Sequence, residues 1–112
     1  MAFSIEYKLM EQRRTRRFSL HLPLAITRSG VERVKMAGQT RNISSSGVLF
    51  TAGSGAELGS PIEYVITLDP NGPNEVNLRC MGKVLRTERV ESDSPGYQFA
   101  ATLERYEFVR ER

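Results

Sequence analysis

Four arginines crowd into five positions, Arg13, Arg14, Arg16 and Arg17, with only Thr15 between them. A guanidinium is a planar fork of donors that meets a phosphate or a base edge and lies flat on a ring, none of which lysine does as well. The run holds no acidic residue, so near neighbours in sequence do not neutralise it. It is either solvated or shaped to meet an anion. A second constellation follows at Asn42-Ile43-Ser44-Ser45-Ser46-Gly47. With Gln39 to Ser44 extended, Asn42 and Ser44 are two apart and share a face, while Ile43 faces the core. Ser45, Ser46 and Gly47 then make a tight turn, with the glycine supplying either a positive φ or room for a close approach. Short polar groups beside such a turn can read a base edge or a phosphate; they also serve ordinary turn chemistry.

The rest of the composition narrows what these residues can belong to. The chain has 112 residues, 39% hydrophobic and 26% charged, the balance of one globular domain. A core of that size folds without staples but leaves little room for a deep catalytic cleft with a lid. One cysteine, Cys80, excludes an internal disulfide framework and a multi-cysteine zinc site, and one histidine, His21, argues against a His-based metal site or a catalytic triad. No nucleophile–base pair and no dinucleotide-type glycine loop is present, so an enzyme is not expected, nor a metal or cofactor. Apolar stretches fall far short of a membrane span, and MAFSIEYKLMEQRR lacks the apolar core and cleavage site of a secretion signal. A cytoplasmic protein without membrane insertion is expected. The net charge of +3 is local, since removing the arginine run leaves 3 − 4 = −1 for the remainder. A broad face for polymeric nucleic acid is therefore not expected, and the scattered Tyr and Phe residues do not form a base-stacking platform.

These residues need elements to position them. Residues 1–12 read as a flexible N-terminal arm preceding a single domain over 13–112. From Phe18, Leu20, Leu22, Leu24 and Ile26 alternate with Ser19, His21, Pro23 and Ala25, the period of a half-buried strand. Pro23 places that strand at an edge or marks a bulge. Further strands are expected over 31–36 and 39–43, separated at Gly38, then over 47–51, 61–68, 76–87 and 97–102. The turn formers from Asp69 to Asn74 connect two of them as a hairpin. Val76, Leu78, Cys80, Gly82 and Val84 form one apolar parity, which turns Cys80 inward as a structural thiol. The closing LERYEFVRER reads as a two- to three-turn helix docked on the sheet. Many short antiparallel strands and one terminal helix predict an all-β fold, a small barrel.

Arg13 and Arg17, four apart, and the Asn42-x-Ser44-x-x-Gly47 turn some 25 residues later together resemble the PilZ domain, the bacterial receptor module for cyclic di-GMP. Its signatures, RxxxR and [D/N]xSxxG, stand here as Arg13-Arg14-Thr15-Arg16-Arg17 and Asn42 to Gly47. The order of RRFSLHLPLAI, NISSSGVLF, PIEYVITL, the strand from Val76 and Gly96-Tyr97-Gln98-Phe99 extends the likeness over nearly the whole chain. The resemblance implies a six-stranded antiparallel β-barrel with a C-terminal helix, and a ligand held between the N-terminal arm and the barrel surface. It implies that Arg13 and Arg17 contact guanine and phosphate, with Arg14 and Arg16 accessory to them. Asn42 and Ser44 would contact a guanine from the barrel face, and Gly47 would keep the turn tight. Asn42 stands where the family more often has Asp, and an amide holds the guanine donors less strongly than a carboxylate. The implied activity is that of a receptor: the arm orders over cyclic di-GMP and changes affinity for a downstream protein partner, in control of motility, surface polysaccharide or virulence. The competing expectation is a PilZ-like protein adaptor that binds no nucleotide.

Overall fold

A computed structural model describes residues 17–73, 75–91 and 96–110. The N-terminal arm expected over residues 1–12, and Arg13, Arg14 and Arg16, lie outside the described residues. Among those described, seven strands form: β1 (Pro23–Ser29), β2 (Glu32–Ile43), β3 (Gly47–Ala52), β4 (Pro61–Thr67), β5 (Val76–Val90), β6 (Gly96–Thr102) and β7 (Arg105–Arg110). Every pairing is antiparallel. The sheet runs β4-β1-β2-β3-β6-β5-β7, and a further β4–β5 pairing closes its first six strands into a barrel. Closure removes the exposed edges that so many short strands would otherwise carry.

The alternation visible in sequence fills the barrel. Leu24 and Ile26, Val48 and Phe50, Ile62, Tyr64 and Ile66, Cys80 and Val84, and Phe99 and Ala101 are all buried at every second position of their strands. Phe50 sits at the centre, stacked on Phe99 at 5.0 Å between ring centroids and tilted against Tyr64 at 5.4 Å. The Tyr64 hydroxyl donates to the Thr102 carbonyl at 3.1 Å, which satisfies the one polar atom of that ring. Cys80 is buried as its parity indicates, and burial pushes its thiol up to about 12. Desolvation likewise raises the Tyr64 phenol, with Cys80 and Glu104 adding to it.

Four expectations are corrected. The strand expected from Phe18 begins at Pro23. Proline is tolerated there as the first residue of a strand, and β1 is an interior strand between β2 and β4. Its bulge falls at Thr27, between Ile26 and Arg28. Gly38 does not separate two strands but lies inside the twelve-residue β2. A Cβ there would lie 2.1 Å from the Thr51 carbonyl oxygen, so the glycine serves a close approach of β3. The C-terminal helix is replaced by β7. Tyr106 and Phe108 alternate with the charged Arg105 and Glu107, and β6 leaves β5 at Val84, so the rest of β5 offers unpaired backbone groups. β7 takes them, from Met81↔Arg105 to Val76↔Arg110. A helix of that length would have satisfied only its own backbone and would be marginal.

Candidate functional site

Two extra residues in the ladders decide which side chains reach the outside of the barrel. In β2, Thr40 faces the core opposite Phe50. Regular alternation would point Asn42 the same way, but a register shift between them pairs Asn42 with Leu49, on the outer face. In β5, Val84 faces the core opposite Ala101, and a second shift at Leu85 pairs Arg86 with Ala100. Because Leu49 and Ala100 are themselves partners, Asn42, Leu49, Ala100 and Arg86 form one row across four strands. Three strand spacings separate its ends, about 14 Å.

Arg17 is brought to the Asn42 end of this row by the segment that leads into β1. Phe18 and Ile43 exchange backbone hydrogen bonds at 2.8 and 2.9 Å, and Thr40 N donates to Leu22 O at 2.9 Å. The fully buried Thr40 hydroxyl completes the tether, accepting from Leu22 N at 2.8 Å and donating to the Leu20 carbonyl. So held, Arg17 Nη1 donates to Asn42 Oδ1. The two residues come from motifs 25 positions apart in sequence. With one lone pair of its carbonyl engaged by Arg17, Asn42 still offers both amide N–H donors and a second lone pair.

A cleft of about 320 Å³ opens along the row, lined among others by Arg17, Asn42, Ser46, Leu49, Leu85 and Arg86. Leu49, Ala100 and the exposed Leu85 make its floor apolar, and no carboxylate is among the described residues that line it. A flat aromatic anion fits such a surface, with guanidinium groups at both ends and carbon between them. A second cleft, of about 280 Å³, lies where β4, β5 and the start of β7 meet. There Arg28, Lys83 and Arg105 stand beside Glu63 and Glu104 over Met81 and Pro61, so positive charge is not concentrated. Its two carboxylates already accept hydroxyl bonds, Glu63 from Thr27 and Glu104 from Thr102, each at 2.9 Å.

Of the residues singled out in sequence, Arg17, Asn42 and Gly47 line the first cleft. Ser44 does not share that position with Asn42, because β2 ends at Ile43 and strand periodicity stops with it. Ser44 is buried in the turn. Its hydroxyl accepts from Ser46 N at 3.3 Å and Gly47 N at 3.2 Å and lies 3.2 Å from the Gly47 carbonyl as donor, while its own N donates to that carbonyl at 2.9 Å. Ser44 holds the turn, and Ser46 is the serine that lines the cleft. Gly47 has no positive φ; a Cβ on it would lie 2.9 Å from Ala101 O, so glycine is needed for the approach of β3 to β6. Leu85 and Arg86 were not among the expected site residues. Their signal is Arg86 itself, which continues the parity of Val76, Leu78, Cys80, Gly82 and Val84 with a charge where a core residue is due.

No curated protein compared with the chain matches it. The family model described as PilZ domain matches residues 11–108, a span from the arginine run through the Asn42–Gly47 turn and into β7. With six strands closing the barrel and that match covering most of its length, the chain belongs to the PilZ domain family.

Proposed function

We propose that the chain is a cyclic di-GMP receptor whose ligand lies on the outer face of the barrel, along the row from Asn42 to Arg86. The observation that carries this reading is the hydrogen bond from Arg17 to Asn42, which joins the last arginine of one signature to the first residue of the other at the mouth of one cleft. A guanine stacked over Leu49 and Leu85 presents O6 and N7 to an arginine fork or to the Asn42 amide donor. A bidentate arginine contact of that kind contributes on the order of 1–3 kcal/mol. Arg13 and Arg14, close to Arg17 in sequence, supply charge for the phosphates. Ser44 acts through the turn that sets Ser46 and Gly47, rather than by touching the ligand. Ordering of the arginine-bearing segment over the ligand then changes the surface offered to a protein partner, and the entropy of ordering lowers affinity accordingly.

Isothermal titration with cyclic di-GMP tests the reading and counts ligand molecules per protein. Binding is expected for the native chain and is expected to weaken in Arg13→Ala, Arg17→Ala and Asn42→Ala. Absence of heat at high ligand concentration, or equal affinity for GTP, would sink it.

A further inference from the structure

Strand β7 is paired along one side only. Its ladder with β5 runs without a register shift, and among the described residues its other edge has no neighbour in the sheet. Of the devices that usually blunt an edge strand, Arg-Tyr-Glu-Phe-Val-Arg carries charged side chains but no proline, bulge or lysine. It also exposes two aromatic rings: Tyr106 is 59% and Phe108 66% accessible, set edge to face at 6.2 Å. These two share the sheet face of their partners Cys80 and Leu78. Arg105 and Glu107 share the opposite face with Met81 and Arg79, where Arg79 pairs with Glu107 at 3.4 Å.

We propose that this edge pairs with the same edge of a second copy of the chain, antiparallel and centred on Tyr106. A two-fold axis perpendicular to a sheet requires opposed residues to lie on the same face, so the axis must lie midway between the two copies of one residue. Centring on Glu107 opposes two carboxylates, and centring on Arg105 opposes two guanidinium groups. Centring on Phe108 sets Glu107 against Val109. Only centring on Tyr106 opposes unlike charges within β7: Arg105 of each copy faces Glu107 of the other, twice. Glu107 is already drawn to that face by Arg79, which makes Arg79, Glu107 and the second copy's Arg105 one alternating network. On the other face Tyr106 meets its own copy, with each Phe108 diagonal to it, a spacing aromatic side chains bridge. The pairing covers the four rings and continues one barrel's sheet into the next. So short an edge buries less surface than a stable dimer requires, and the association is weak and reversible.

Sedimentation equilibrium from micromolar to millimolar concentration tests this on the full chain, with circular dichroism confirming that each variant is folded. The native chain is expected to dimerise as concentration rises. Arg105→Glu opposes two carboxylate pairs and Glu107→Arg two guanidinium pairs, so each alone is expected to weaken self-association roughly tenfold or more. An equimolar mixture of the two variants restores both unlike pairs and is expected to form the mixed dimer. A native chain that stays monomeric throughout overturns the proposal. So does either single variant dimerising as well as the native chain, or a mixture that associates no better than its components.

Discussion

Asn42 and Arg86 end the same cross-strand row, and each reaches the outside of the barrel because the residue before it interrupts its ladder. The two interruptions, at Arg41 and Leu85, do the same thing on either side of Leu49 and Ala100. Each takes a polar residue of core parity and turns it outward, where the cleft lies.

Arg86 lines the cleft although neither signature contains it, and the proposed ligand position makes it a contact. Replacing it with alanine is expected to weaken cyclic di-GMP binding roughly five- to a hundredfold, the range of one bidentate arginine contact. As an exposed side chain it should leave the urea midpoint of unfolding nearly unchanged. Paired titration and denaturation curves check both halves, and unaltered affinity would remove Arg86 from the site.

Thr40 is outside the cleft yet holds Arg17 in it. Thr40→Val leaves Leu22 N and Leu20 O without their hydroxyl partner, at a cost of about 1–3 kcal/mol. Faster hydrogen exchange at Phe18 and Leu22 is expected, together with weaker ligand binding. A variant that exchanges at the native rate would show that the segment is anchored by other contacts.

Three glycines, two inside ladders and Gly53 just past the end of β3, rank by what a methyl group would meet. At Gly82 a Cβ would lie 1.9 Å from Thr102 O, at Gly47 2.9 Å from Ala101 O, and at Gly53 nothing lies within 4 Å. Gly82→Ala is expected to be the most destabilising because two backbones must separate, whereas Gly47→Ala should cost about 1–3 kcal/mol. Gly53→Ala should be neutral or slightly stabilising through the unfolded chain. Thermal melts of the three variants give the order directly.

Cys80 sets an alkaline limit. Its thiol pKa is raised from an ordinary 9 to about 12 by burial, so between those values the unfolded chain releases a proton that the folded chain keeps. The stabilisation is fully present below pH 9 and is lost as pH rises toward 12. Stability measured from pH 8 to 11 should fall more steeply in the native chain than in Cys80→Ala, with Tyr64 adding a slope common to both. At neutral pH the native thiol is expected to resist alkylation until urea unfolds the chain; rapid labelling of folded protein would contradict its burial.

Much was legible in the sequence because alternation is local. The parity of Leu24 and Ile26, of Ile62, Tyr64 and Ile66, and of Cys80 and Val84 is written in residue types, and so are the barrel and its core. Both signatures were legible for the same reason. What the tertiary structure alone decided was where alternation breaks and what lies across the break. Whether Gly38 is a turn or a close approach depends on Thr51, and whether Ser44 continues the strand face of Asn42 or closes a turn depends on where β2 ends. Residues 105–110 could satisfy their backbone as a helix or as a strand. The free edge of β5, which no local pattern reports, chose the strand. The row from Asn42 to Arg86 likewise exists only once β2, β3, β6 and β5 are side by side, since hydrogen-bond register, not sequence distance, sets which side chains meet.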